Sequence, residues 1–236
     1  MRWLLNDLFE QNLKLLSNEN VQIDRALFFS GGENEPEIET FKTLFPLSEI
    51  SLFGIQGNDV IFFDLNQKNI HNFQFDLVCC NQVIEHLWNH SAAFDNLASL
   101  VKDSGYLWIT LPFLNFPHGE PKSFVSGVSN IYLERNFSQR EFIALSSGIF
   151  GSKRYYTSSL FFLKWLEENE HRRGLFGVKI FKGRSPKYAL YHFIRFDFIR
   201  FLLITFLSKS LNSRWATETF YFGKKRPTNE NDNLLK

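Results

Sequence analysis

Glu85 and His86, adjacent in Val83-Ile84-Glu85-His86-Leu87, are the residues of this sequence best suited to chemistry. A histidine titrates near neutral pH and, on a rim that faces a ligand, can take a proton from an acceptor hydroxyl. Glu85 would then orient His86 or cap the turn that follows. A structural or ligand-positioning duty for the pair stands beside the proton-transfer role, because spacing alone fixes no geometry. His118, in Phe116-Pro117-His118-Gly119, is the competing base, and His90 is expected to face solvent. Cys79 and Cys80 are the only cysteines. Adjacent cysteines rarely bridge each other and make a poor metal site, so they read as reduced core thiols, and no metal site is expected.

The elements that must position these groups are legible around them. Residues 75–80 form an apolar run of strand length, and residues 81–90 are polar. Ala93, Phe94, Leu97, Ala98 and Val101 recur at helical spacing. Asp103-Ser104-Gly105 is a turn signal, and residues 106–111 are rich in strand formers before Pro112. Two apolar strands joined by a helix require a parallel crossover, one unit of an open α/β sheet. Ligands of such sheets sit at the carboxyl ends of the strands. That rule places residues 81–86 and 112–118 on one rim.

Upstream, residues 25–29 read as the first strand, Ser30-Gly31-Gly32-Glu33-Asn34-Glu35 as a loop, and residues 36–45 as a helix with Pro36 in its first turn. Strand, glycine loop and helix together bring backbone N–H groups to a ligand, though a Gly-Gly pair is also an ordinary turn. Residues 49–55 and 60–63 supply two more strands, the first followed by Gln56 and the second by Asp64-Leu65-Asn66. Asp64 reads equally as a turn residue.

The run Asp76-Leu77-Val78, then Val83-Ile84-Glu85-His86-Leu87, a helix, Gly105-Tyr106-Leu107 and Leu111-Pro112-Phe113 resembles the class I S-adenosylmethionine-dependent methyltransferases over residues 25–118. The resemblance implies a Rossmann-like, doubly wound, seven-stranded, mostly parallel sheet with an antiparallel last strand. It implies S-adenosyl-L-methionine as cofactor, with contacts from Ser30, Gly31, Gly32 and Glu33, from Gln56 and Asp64-Leu65, and from Asn81 and Gln82. Asp64 would reach the adenine amino group. The family's glycine run is altered here: Phe28 stands where an acid is usual, Ser30 and Asn34 replace glycines, and Gln56 replaces the acid that takes the ribose hydroxyls. The implied activity is methylation of a hydroxyl on a small or sugar-like acceptor. The alternative is a methyltransferase-like protein without catalysis that serves as a binding or scaffolding partner.

The remainder frames this core. The chain has 236 residues, 28 of them Phe, and a formal net charge of +1, which argues against a general nucleic-acid binder. The whole chain reads as one methyltransferase-like domain. Leu4, Leu5, Leu8, Phe9, Leu13 and Leu16 make residues 1–20 an amphipathic helix packed on the sheet. Residues 138–147 read as a short helix, 148–156 as a strand and 216–222 as the last strand. Between them lies an insertion, residues 158–214, with a basic stretch and the apolar run 188–207. His192, Arg195, Asp197 and Arg200 make that run costly as a membrane span, so it reads as a cap on the sheet, with peripheral membrane contact through 179–207 as the other possibility. A cytoplasmic location and a disordered tail at 227–236 complete the expectations.

Overall fold

In the computed structural model the described residues are 2–29, 35–53, 60–61, 64–68, 73–113, 127–151 and 218–227. Ser30, Gly31, Gly32, Glu33, Gln56, His118 and the stretches 158–214 and 228–236 lie outside them. The chain divides into two compact units, one of Met1–Ile149 with Glu218–Lys236 and one of Phe150–Thr217. The fold described below belongs to the first unit.

Seven strands form one sheet: β1 (Arg25–Phe29), β2 (Glu49–Phe53), β3 (Val60–Ile61), β4 (Phe75–Asn81), β5 (Val101–Pro112), β6 (Phe142–Phe150) and β7 (Glu218–Lys225). Their spatial order is β3-β2-β1-β4-β5-β7-β6. The pairs β2–β3, β1–β2, β1–β4 and β4–β5 are parallel, and β7 runs antiparallel to β5. The expected mostly parallel sheet with its antiparallel last strand is therefore present. Its centre reads as unbroken apolar sequence because helices cover both faces.

The two faces are built from alternate residues. On one, helix α1 (Arg2–Asn18) buries Leu5, Phe9, Leu13 and Leu16, and helix α2 (Pro36–Leu44) buries Ile38 and Phe41. Phe9 lies 6.3 Å from Phe28 and 5.3 Å from Trp108, and Phe28 lies 5.5 Å from Phe41, ring to ring. Burying a side chain of this size contributes about 1.5–3 kcal/mol. On the other face, helix α3 (His90–Leu100) and helix α4 (Asn130–Ser138) set Ala93, Phe94, Leu97, Leu133 and Phe137 against Leu27, Val78, Leu107, Ile109 and Tyr221. Asn89 caps α3 by accepting the Ala92 N–H at 3.2 Å, and Ser129 caps α4 by accepting the Tyr132 N–H at 3.3 Å.

Several boundaries differ from the sequence reading. Residues 138–147 do not form a helix: α4 ends at Ser138, and β6 starts at Phe142 rather than 148. The break comes at Glu141, which is left-handed (φ 67°) with no glycine to announce it. The last strand runs from Glu218 to Lys225, through the Gly223 that read as its end. The turn at Asp103-Ser104-Gly105 is an excursion inside β5, since Val101 pairs with Phe75 and Tyr106 with Leu77 on either side of it. Glycine is required there: a Cβ on Gly105 would lie 2.9 Å from the Lys102 carbonyl oxygen.

Candidate active site

The strand order reverses between β1 and β4, so the loop after β1 leads to α2 on one face and the loop after β4 leads to α3 on the other. That divergence opens a crevice at the carboxyl ends of the two strands, where ligands of doubly wound sheets bind. The described rim of this crevice consists of residues 64–67, residues 81–89, the end of β5 and the start of β7.

The loop after β3 is fixed to the loop after β4. Asp64 Oδ1 accepts the Asn66 backbone N–H at 2.9 Å and Asp64 Oδ2 accepts from Gln67 Nε2 at 3.2 Å, so the carboxylate organises its own turn. Asn66 Oδ1 accepts the Trp88 and Asn89 N–H groups at 2.9 and 3.2 Å. Asn96, buried on α3, donates to the Leu65 and Gln67 carbonyls at 3.2 and 2.8 Å. Leu65 is pulled into the core beside Ile84 and Phe94, while Asp64 stays exposed at the rim. Asn66 and Asn96 tie this rim together, although in the sequence they look like ordinary turn and helix residues.

At the end of β4 the polar groups converge. Asn81 Oδ1 accepts from Trp108 Nε1 at 2.9 Å and from Thr110 Oγ1 at 3.2 Å. Gln82 takes a left-handed backbone (φ 54°), donates its N–H to the Thr110 carbonyl at 3.0 Å, and donates from Nε2 to Glu218 Oε2 at 2.9 Å. A non-glycine residue so placed is uncommon and concentrates at functional sites. Glu218 opens β7 opposite Pro112, on the same rim, and is 2 % exposed.

A single turn of 3₁₀ helix (Ile84–His86) carries Glu85 and His86. Glu85 is fully buried, and neither carboxylate oxygen has a hydrogen-bond partner of normal geometry. His86 Nε2 approaches Glu85 Oε1 to 3.9 Å and is itself partly accessible. Burial pushes the Glu85 carboxyl up to about 7, only partly offset by its own backbone N–H. Burial likewise pushes Glu218 up to about 8; the Gln82 hydrogen bond opposes this, the Glu85 charge adds to it, and the amino-terminal charge opposes it. His90 does not face solvent: it is half-buried at the start of α3, its Nε2 is shut away without a partner, and its ring lies 6.2 Å from that of Phe94. Both cysteines are buried free thiols, raised by burial first, with Glu85 adding to Cys80 and Glu37 and Cys80 to Cys79. Among the described residues no cluster of three or more His, Cys, Asp or Glu is arranged for a metal ion.

Of the site residues expected from sequence, the structure gathers Asn81, Gln82, Glu85 and His86 at one strand end and sets Asp64 and Leu65 on the loop tied to it. The strand order and the antiparallel β7 define a doubly wound α/β protein with the class I methyltransferase topology. A methyltransferase domain family matches residues 17–170, and the chain belongs to that family. No curated protein sequence matches it. Similar solved structures include an O-methyltransferase from a multienzyme of Brevibacillus brevis in complex with S-adenosyl-L-homocysteine, at TM-score 0.50 and 14% identity over 92% of this chain and 72% of that one. The [4+2]-cyclase SpnF matches at TM-score 0.50 and 13% identity over 92% of this chain and 81% of that one. A Bacillus halodurans protein assigned as a methyltransferase matches at TM-score 0.50 and 11% identity, over 93% of this chain and 99% of that one. At these identities the likeness is one of fold.

Proposed function

We propose that this chain is an S-adenosylmethionine-dependent methyltransferase that methylates a hydroxyl oxygen of a small or sugar-like acceptor. The observation that carries the reading is the rim at the β1–β4 switch point: Asp64, Asn81, Gln82 and Glu85 stand at the strand ends where this family's cofactor is expected, and both Glu85 oxygens are buried without a hydrogen-bond partner. A buried carboxylate with open acceptor positions fits a ligand that carries positive charge and hydrogen-bond donors, and S-adenosylmethionine has a sulfonium, an ammonium and an adenine amino group. Asp64 at the exposed end of its turn is the candidate for the adenine amino group, and Asn81 and Gln82 for the part of the cofactor over β4. When bound, the cofactor supplies the electrophilic methyl; the protein aligns it with the acceptor and manages one proton.

The second reading, a methyltransferase fold retained for binding alone, draws on one observation. Phe28 is turned into the core between Phe9 and Phe41, so it offers no carboxylate at the end of β1. One experiment separates the two: calorimetry with S-adenosylhomocysteine, followed by transfer of labelled methyl from S-adenosylmethionine to a panel of hydroxyl acceptors. Saturable binding and label in an acceptor are expected. No binding at millimolar ligand to the folded protein would overturn the enzymatic reading.

A further inference from the structure

A chain of hydrogen bonds at the carboxyl end of β4 dictates which way two amides face. Trp108 Nε1 can only donate, and it donates to Asn81 Oδ1 at 2.9 Å. The Thr110 hydroxyl gives its one proton to the same oxygen at 3.2 Å, so it is left to accept from Gln82 Nε2, at 3.4 Å. The other Gln82 amide N–H goes to Glu218 Oε2 at 2.9 Å. A carboxyl oxygen accepts such a bond whether or not its twin holds a proton. Trp108, Thr110 and Glu218 are all buried, so water does not compete for these bonds. Two groups are left over: Asn81 Nδ2 as a donor and Gln82 Oε1 as an acceptor. Neither has a partner among the described residues, and neither is shut away from the surface. The adjacent strand β1 ends in Phe28 and Phe29, both buried, so among the described residues it offers this rim no side-chain acceptor.

We propose that Gln82 Oε1 and Asn81 Nδ2 hold the amino-acid end of S-adenosylmethionine, its ammonium on Gln82 and its carboxylate on Asn81, and that Glu218 positions Gln82 for this. The inference rests on the methyltransferase reading. An amide oxygen beside an amide N–H is complementary to an ammonium beside a carboxylate, and both bonds are charge-assisted. Glu218 acts only through Gln82. Without its acceptor oxygen the Gln82 amide can turn about its last bond and present N–H groups, which an ammonium does not accept. The Gln82 backbone is already fixed, left-handed (φ 54°) and bonded through its N–H to the Thr110 carbonyl at 3.0 Å, so the side-chain amide is the one part still to be set. Glu218 lies 136 positions away in the chain and reaches this place because it opens β7 opposite Pro112.

The test needs neither an acceptor nor turnover. Calorimetry on the full chain gives dissociation constants for S-adenosylhomocysteine, which has the amino-acid end, and for methylthioadenosine, which lacks it. Gln82→Met and Glu218→Met should each weaken S-adenosylhomocysteine about tenfold, as for a lost hydrogen bond to a charged group, and leave methylthioadenosine within about twofold. The double variant should lose no more than either single one, because the two residues act as a unit. Glu218→Gln keeps an acceptor oxygen for Gln82 and should bind S-adenosylhomocysteine within about threefold of wild type. Losses that multiply in the double variant, losses equal for both ligands, or a Glu218→Gln as weak as Glu218→Met would overturn the inference. Should Glu218→Met fail to fold, Gln82→Met still decides: unchanged affinity for S-adenosylhomocysteine would overturn it. Failure of wild type to bind S-adenosylhomocysteine at all would instead overturn the methyltransferase reading on which it rests.

Discussion

Two buried carboxyls at the rim, Glu85 and Glu218, have a measurable effect before any chemistry. Glu85 and Glu218 sit at about 7 and about 8 in the folded chain, against an ordinary 4.5. Between about pH 4.5 and 8 the native state binds more protons than the unfolded chain, so stability falls as pH rises across that window and is unaffected by the pair below it. Glu218→Gln removes the buried charge and keeps a polar group beside Gln82. It should raise stability by on the order of 1–3 kcal/mol at pH 8.5 and change it little at pH 4, as read from urea melts. An equal effect at both pH values would mean that Glu218 is not a desolvated acid. In turnover, His86→Ala should lower the rate about 10²–10⁴-fold if this partly accessible side chain takes the acceptor's proton, the usual range for lost proton transfer. An unchanged rate in His86→Ala would mean catalysis by alignment alone. Sequence made one half of this legible. Glu85 and His86 announce themselves as acid and base on a polar loop between strand and helix. Glu218 is a lone acid near the start of a distant aromatic strand, and only antiparallel pairing of β7 with β5 carries it to Pro112.

Secondary elements here are anchored by a few charged groups at their ends. Asp76 at the start of β4 accepts the Asp24 and Arg25 N–H groups at 3.1 and 2.8 Å and the Lys102 ammonium at 2.8 Å. Burial works to raise its carboxyl, but Lys102 and the two backbone donors outweigh it and hold the group below its ordinary value of 3.8. A depressed carboxylate stabilises the fold above its unfolded value, and that stabilisation is lost as pH falls through the folded one. Asp76→Asn should therefore cost about 1–3 kcal/mol at pH 7 and progressively less below about pH 4, by denaturant melts at both. Lys225 on β7 donates to the Ala98 and Val101 carbonyls at 3.0 and 2.8 Å, closing the end of α3. Gly223, two residues earlier, leaves room for the Tyr221 ring: a Cβ there would collide with the Tyr221 hydroxyl oxygen. That ring is stacked on Phe137 at 5.2 Å, so it has little room to yield. Gly223→Ala should cost about 1–3 kcal/mol, and a melting temperature equal to wild type would show that the ring moves freely. These particulars explain which boundaries the sequence hides. Alternation and helical spacing revealed β1, β4, β5 and α1 to α3, whose apolar residues face a filled core. The start of β6 follows a left-handed Glu141, and Gly223 looks like a stop although it serves a neighbouring side chain.

At the scale of the molecule, family membership and strand order agree, but topology alone does not assign chemistry, since a [4+2]-cyclase shares the fold at the same TM-score as an O-methyltransferase. The cofactor is therefore the decisive question for the whole chain, and its binding has a global readout. A ligand that binds only the folded state stabilises it by mass action, by about 2.7 kcal/mol at a free concentration one hundred times its dissociation constant. For a chain of this size, about 1 kcal/mol moves the melting temperature by 2–4 °C, so S-adenosylhomocysteine at that excess should raise it by about 5–10 °C. Gly32→Val should abolish the rise, because a branched side chain would occupy the space that close approach of a ligand to the loop requires. Asp64→Asn should reduce it only in part, since Asn96, through the Leu65 and Gln67 carbonyls, and Asn66, through the Trp88 and Asn89 N–H groups, also hold that turn in place. The measurement is a scan of wild type and both variants at pH 7.5 with and without ligand. A wild-type shift that Gly32→Val retains in full would place the ligand elsewhere than the glycine loop. No shift at millimolar ligand, with a cooperative melt, would leave a family fold that has lost its cofactor.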